Sequence, residues 1–165
     1  MDGFELLPDD GDPLRLDRQV CFPLYAASNL LTRLYRPVLA ELGLTYPQYL
    51  VMLVLWEQTP QSVGSLGGAL YLDSGTLTPL LKRMEQAGLI TRRRDPEDER
   101  RVLIDLTEAG RTLRTPASRV PETLLRGYRG SPAGLEALRD TVRALVATLR
   151  DHSDLADQPQ GSDPS

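Results

Sequence analysis

Apolar residues recur every three or four positions over residues 16–42, at Val20, Leu24, Ala27, Leu31, Leu34 and Val38. This spacing predicts a long first helix, stopped by Gly43. Pro23 falls near a first turn, whereas Pro37 is expected to kink the helix. Thr45-Tyr46-Pro47-Gln48 has capping-box spacing with a proline tolerated in the first turn. The apolar run over residues 49–56 that follows therefore reads as a central helix rather than a buried strand. Thr59-Pro60-Gln61-Ser62 reads as a turn, with Ser62 placed to cap a short helix carrying Val63, Leu66, Ala69 and Leu70.

Over residues 73–88, at 100° per residue, Leu77, Leu80, Leu81 and Met84 share one face. Gly75, Thr78, Pro79, Lys82 and Gln86 lie opposite, with Thr76 and Arg83 at the margin. That outward face is small, hydroxylated and basic, which suits a major groove. Either Asp73 caps a helix that contains Pro79, or the regular helix begins at Thr78; Gly88 supplies the stop. The period then changes to two. Residues 89–94 and 101–106 read as two short strands joined by the charged tip Asp95-Pro96-Glu97-Asp98-Glu99-Arg100. Thr107-Glu108 opens another helix, broken around Thr115-Pro116 and resumed near Pro121. Ser131-Pro132 starts the last one, whose stripe of Leu135, Leu138, Val142, Leu145 and Leu149 is either core or a dimer seam. The expected fold class is mainly α: a winged helix-turn-helix with a two-stranded wing, and N- and C-terminal helices forming a dimerisation region.

The chain has 165 residues, enough for one ordinary core. It contains no apolar run near the roughly 20 residues needed to span a bilayer, and its acidic start lacks the basic region of a signal peptide. A soluble cytoplasmic protein is expected. One cysteine, Cys21, excludes an internal disulfide, and one Cys with one His, His152 in a tail-like stretch, cannot build a zinc site or a thiol–histidine pair. No cofactor motif is present. The formal net charge of −4 hides an uneven distribution. Residues 1–17 carry −5 and residues 151–165 carry −4, leaving +5 over residues 18–150. The 18 Arg against one Lys fit a GC-rich genome as well as DNA chemistry, so they count for nothing here.

Asp98-Glu99-Arg100-Arg101-Val102-Leu103-Ile104-Asp105-Leu106-Thr107 resembles the wing signature of the MarR family of winged-helix repressors. The stretch from Leu72 through Asp73-Ser74-Gly75-Thr76-Leu77-Thr78-Pro79 to Glu85 is similar to that family's recognition helix. Both segments, with Val20-Cys21-Phe22-Pro23-Leu24-Tyr25-Ala26-Ala27-Ser28 and Leu44-Thr45-Tyr46-Pro47-Gln48-Tyr49-Leu50, resemble its organic hydroperoxide resistance regulator branch, in the class with one cysteine. The resemblance covers about residues 16–150.

It implies a homodimer on a pseudo-palindromic double-stranded DNA operator. Ser74, Thr76, Thr78 and Lys82 would face the major groove, with Arg83 also on the DNA-binding surface; Arg100, its guanidinium held by Asp98, would enter the minor groove. It also implies that Tyr35 and Tyr46 donate hydrogen bonds to the Cys21 sulfur, which favours the thiolate. An organic hydroperoxide would oxidise that thiolate, and a low-molecular-weight thiol would trap the product and release the DNA. The implied layout is an acidic tail (1–15), the first half of a dimerisation and sensing region (16–44), a DNA-binding domain (45–107), C-terminal dimerisation helices (108–152) and a disordered tail (153–165). Two other readings stay open. One is a MarR-type repressor controlled by a non-covalent aromatic ligand, with Cys21 structural; the other is a thiol peroxidase, disfavoured because the chain has neither a resolving cysteine nor an active-site histidine. Tyr25, Tyr49, Tyr71 and Tyr128 read as packing residues.

Overall fold

The computed structural model describes Asp12 and residues 14–126, 128 and 130–156. The expectations for most of the acidic tail and for residues 157–165 lie outside these. The chain divides into two units, residues 1–126 and 127–165.

In the first unit a 3-10 turn, Leu16–Arg18, precedes helix α1 (Cys21–Ala40). The helix therefore begins later than the apolar period suggested, and Cys21 is its first residue. Pro23 sits in the first turn, where its missing N–H costs little, and Pro37 lies inside the helix without ending it. Gly43, at φ 66°, turns the chain out of α1. Helix α2 (Tyr46–Glu57) starts at Thr45, whose N–H donates to Gln48 Oε1 at 2.8 Å. It is the central helix: Tyr49, Val51, Met52 and Leu55 are buried. Burying such side chains contributes about 1.5–3 kcal/mol each for the larger aliphatics.

The segment read as a turn contains a strand, β1 (Gln61–Ser62), which pairs antiparallel with Ile104 and Leu103. Two polar residues leave no alternation to detect, so only the partner strand defines it. Ser62 also caps α3 (Val63–Leu70), its Oγ accepting from Ser65 N–H at 3.0 Å. Tyr71 closes α3 with φ 54°. Gly67 is required just before it, because a Cβ there would meet the Leu72 carbonyl oxygen at 2.8 Å.

Helix α4 (Ser74–Gln86) is capped by Asp73, whose Oδ1 accepts from Thr76 N–H at 2.8 Å, so the helix starts before Pro79. Leu77, Leu80, Leu81 and Met84 are buried, as the period predicted. Strands β2 (Ile90–Arg94) and β3 (Val102–Leu106) form the wing in antiparallel register, Ile90 opposite Leu106 and Arg94 opposite Val102. The sheet thus has three strands in the order β1-β3-β2 rather than two.

Three short helices follow: α5 (Glu108–Thr112), α6 (Arg114–Ala117) and α7 (Val120–Leu125). The break falls at Leu113, not at Thr115-Pro116, because Pro116 is accommodated early in α6. Gly110 allows α5 to lie close to the start of the wing, because a Cβ there would collide with the Leu89 carbonyl oxygen. The end of α1 packs on α2 and α7, burying Leu39.

In the second unit, α8 spans Pro132–Ala156. It runs past the point where a disordered tail was expected, and His152 Nδ1 lies 3.0 Å from the Thr148 carbonyl oxygen within it. None of the stripe residues Leu135, Leu138, Val142, Leu145 and Leu149 is buried, and Leu138 and Leu149 are 57% and 54% exposed. Among the described residues, no helix is long and apolar enough to cross a membrane.

Candidate nucleic-acid interface and redox site

Burial of one side of α4 leaves Ser74, Thr76, Thr78, Lys82 and Arg83 exposed. By helical geometry Ser74 and Thr78 flank one edge of the outward face, and Thr76 and Arg83 the other, with Lys82 between. Thr76 has a second duty. Its hydroxyl donates to Asp73 Oδ2 at 2.9 Å, so its proton serves the cap and only its lone pairs remain for a base edge. The hydrogen bonds from the Thr76 amide and hydroxyl hold the Asp73 carboxyl below the ordinary carboxylate range.

The wing tip is built by backbone bonds: Asp95 N–H to Arg101 O at 2.9 Å, and Arg101 N–H to Asp98 O at 2.8 Å. Asp98 Oδ1 accepts from the backbone N–H of Arg100 at 3.1 Å. Asp98 thus shapes the turn that presents Arg100, instead of gripping the guanidinium as expected. Asp95 is buried, accepts from Glu97 N–H at 3.1 Å and lies 3.8 Å from the Arg101 guanidinium. Arg100 is exposed at the tip.

Two side-chain links carried no signal in the sequence. Glu85, near the end of α4, receives Arg92 Nε of β2 at 2.8 Å and so ties the wing to α4. Asp105 Oδ1 accepts from the Thr59 hydroxyl at 2.9 Å and pairs with Arg111 at 2.9 Å, joining β3 to the α2–β1 loop and to α5. Burial opposes ionisation of Asp105, but the hydrogen bonds from Thr59 and the Leu106 amide, with the Arg111 charge, outweigh it and lower its pKa. The partners are 7, 46 and 6 positions apart in the chain, and each pairing crosses a turn.

Tyr35 and Tyr46 come together, with ring centroids 4.6 Å apart. Tyr49 stands 6.0 Å from Tyr35, and Trp56 6.4 Å from Tyr49. The aromatic row ends at Trp56 Nε1, which donates to Gly110 O at 2.9 Å. Tyr49 is buried, as a packing residue should be, whereas Tyr25, Tyr71 and Tyr128 are exposed. Burial raises the pKa of Tyr35 and Tyr46, so both phenols remain neutral hydrogen-bond donors well into the alkaline range. Cys21 is not with them in one chain. It is exposed at the opposite end of α1, and fourteen residues of helix separate it from Tyr35 by about 21 Å.

Comparison with known proteins settles what this arrangement is. Residues 33–115 match the family model for the transcriptional regulator SarA/Rot. The organic hydroperoxide resistance transcriptional regulator of Bacillus subtilis is 51% identical over 138 residues, covering 84% of this chain and 94% of that protein. Reduced AbfR bound to DNA is 38% identical with a TM-score of 0.66, covering 81% of this chain and 96% of that one. Overoxidised AbfR bound to DNA is 39% identical with a TM-score of 0.65, covering 80% and 96%. The chain belongs to the SarA/Rot family of MarR-like winged-helix regulators.

As a MarR-like regulator it is a DNA-binding transcription factor. Its winged-helix region contains α4 and the β2–β3 wing, which the ion pair Glu85–Arg92 joins.

Proposed function

We propose that this regulator is a homodimeric cytoplasmic repressor that senses organic hydroperoxides through Cys21 and leaves its operator when the cysteine is oxidised. The observation that carries this reading is the layout of α1. Its first residue is an exposed thiol, and Tyr35 and Tyr46 make a pair of neutral donors near its far end. Between them runs an apolar face with Leu30, Leu31 and Leu34 exposed by 62%, 47% and 54%. An apolar face of this size is covered in solution. If a second α1 runs antiparallel along it, the N-terminus of one helix meets the far end of the other. Cys21 of each protomer then faces Tyr35 and Tyr46 of its partner, and one two-fold axis builds two identical sites.

In such a site two phenols donate to the sulfur and favour the thiolate. The thiolate attacks the hydroperoxide O–O bond. Cysteine is oxidised by two electrons to the sulfenic acid, and the peroxide, with one proton, leaves as an alcohol. A small cellular thiol then condenses with the sulfenic acid, forming a mixed disulfide and releasing water. The adduct is too large for the space between the tyrosines and forces the two α1 helices apart, which moves the wings. A relative has been solved overoxidised and bound to DNA, which favours the adduct over over-oxidation as the releasing species.

Ser74, Thr76, Thr78, Lys82 and Arg83 serve the major groove in this reading and Arg100 the minor groove, on a turn shaped by Asp98. A non-covalent effector remains the second reading. It draws on a cleft of about 280 Å³ floored by Tyr49, Leu53 and Trp56, with Arg114 at its edge. Cys21→Ser separates the two. In a gel shift with DNA from upstream of its own gene, the variant is expected to bind like wild type and to stay bound after addition of cumene hydroperoxide and a thiol. Release of the serine variant under those conditions would refute the cysteine sensor. Sustained peroxide consumption by the wild type with a thiol reductant would instead establish a peroxidase.

A further inference from the structure

Between the wing and α4 lies a cleft of about 420 Å³ to which neither the base-reading residues nor the sensor assigns a role. Arg92, Arg100 and Arg101 line it, with Thr78 on the α4 side and Ser62 and Gly64 on the side of α3. The nearby carboxylates do not use up these cations. Glu85 takes Arg92 at Nε and leaves the terminal nitrogens of the guanidinium for another acceptor. Asp95 reaches Arg101 only at 3.8 Å, and the Arg101 side chain stays 56% exposed. Arg92 and Arg101 each meet one carboxylate, and each keeps guanidinium N–H groups directed elsewhere that a phosphate oxygen can accept from. A Cβ on Gly64 would meet only Ser62 Oγ, at 4.0 Å, so the backbone there is open to a close approach.

We propose that this cleft seats one phosphate of the DNA backbone, the one that crosses from the groove read by α4 to the groove entered by the wing. Arg101 and the terminal nitrogens of Arg92 are its charged partners, and the Thr78 and Ser62 hydroxyls its neutral donors. The seat deepens the DNA-binding reading and rests on it. It carries no sequence information; it fixes the depth at which α4 and the wing enter their grooves together. The ion pair with Glu85 then has a specific task, to aim Arg92 at the phosphate.

The test uses the full chain and a 30-bp duplex from upstream of its own gene, made as a series with one neutral methylphosphonate at each backbone position in turn. For the wild type, one position per half-site is expected to weaken binding about five-fold, and Arg101→Gln is expected to show no further loss there while keeping its losses elsewhere. Arg101→Gln should also lower the slope of log affinity against log salt by about one, equally on the operator and on a random duplex. The tip survives the substitution because its bonds use the Arg101 backbone, and an unchanged melting temperature verifies this. Losses that simply add at every position, or an unchanged slope, overturn the seat. Failure of the wild type to bind any duplex overturns the DNA reading instead. Inorganic phosphate, added at constant ionic strength, separates a free anion from the backbone. Equal effects on wild type and Arg101→Gln support the DNA phosphate, and selective inhibition of the wild type overturns that assignment.

Discussion

Residues 45–106 and the first four turns of α1 obey opposite rules. In the first region each element is closed within the chain: α2, α3 and α4 bury apolar side chains, and Ser62 and Asp73 cap their helices. In the second, no residue from Cys21 to Leu34 is buried, although Phe22, Leu24, Leu30, Leu31 and Leu34 are large apolar side chains. The winged-helix region buries its apolar faces within one chain, and the first part of α1 does not. In the proposed dimer the winged-helix region stays rigid and the switch lies where two chains meet, so a small chemical change acts on assembly geometry rather than on folding.

The largest expected effect breaks the first side of this contrast. Leu77→Ala opens a cavity beneath the recognition helix and should lower the stability of the protomer by about 2–5 kcal/mol, read from urea melts. Leu31→Ala, a change of the same size on α1, should leave the protomer's fold intact and raise the dimer dissociation constant, read by sedimentation over a concentration series. Equal destabilisation by both, independent of protein concentration, would erase the contrast.

Asp73→Ala comes next. It removes the cap of α4 and should lower the melting temperature, with a further loss of DNA affinity because Thr76 loses its anchor. Asp105 gives a smaller, pH-dependent effect. Its folded pKa lies below the unfolded value, so its contribution is present above the ordinary carboxylate range and is lost as the pH falls through the folded value. Asp105→Asn should therefore lie below wild type at pH 6, and the gap should close only as the pH falls below the ordinary carboxylate range, as read by denaturant melts. The exposed pair Arg126–Glu122 on the surface of the same unit sets the floor. Glu122→Ala should change stability by less than about 0.5 kcal/mol.

Local chemistry wrote much of the fold openly. The buried face of α4 was legible because four apolar residues at helical spacing have one way to leave water. The cap at Asp73 also stands in the sequence, but Pro79 left it undecided whether the helix began there or at Thr78. The structure decides for Asp73, since the packing of Leu77 and Leu80 holds the helix across the proline. The wing strands were legible from their change of period, with boundaries correct to about one residue. The site was less legible. Arg100 on its tip and the basic face of α4 could be named, but Asp98 was given the wrong atom to hold, because a carboxylate two residues away reaches a backbone amide as easily as a side chain. Glu85 and Arg92 showed nothing in sequence, since a turn must fold before they meet.

The sequence by itself determined most of the helices and the wing, which side of α4 faces outward, and that the chain carries a single thiol. These depend on residues within one or two turns of each other. Only the tertiary structure decided that Gln61 and Ser62 form a strand, that Arg92 is aimed by Glu85, and that Tyr35 and Tyr46 stand together while Cys21 lies about 21 Å away along α1. Those relations join groups brought together by burial of the core, and no local preference encodes a distance between segments that have yet to pack.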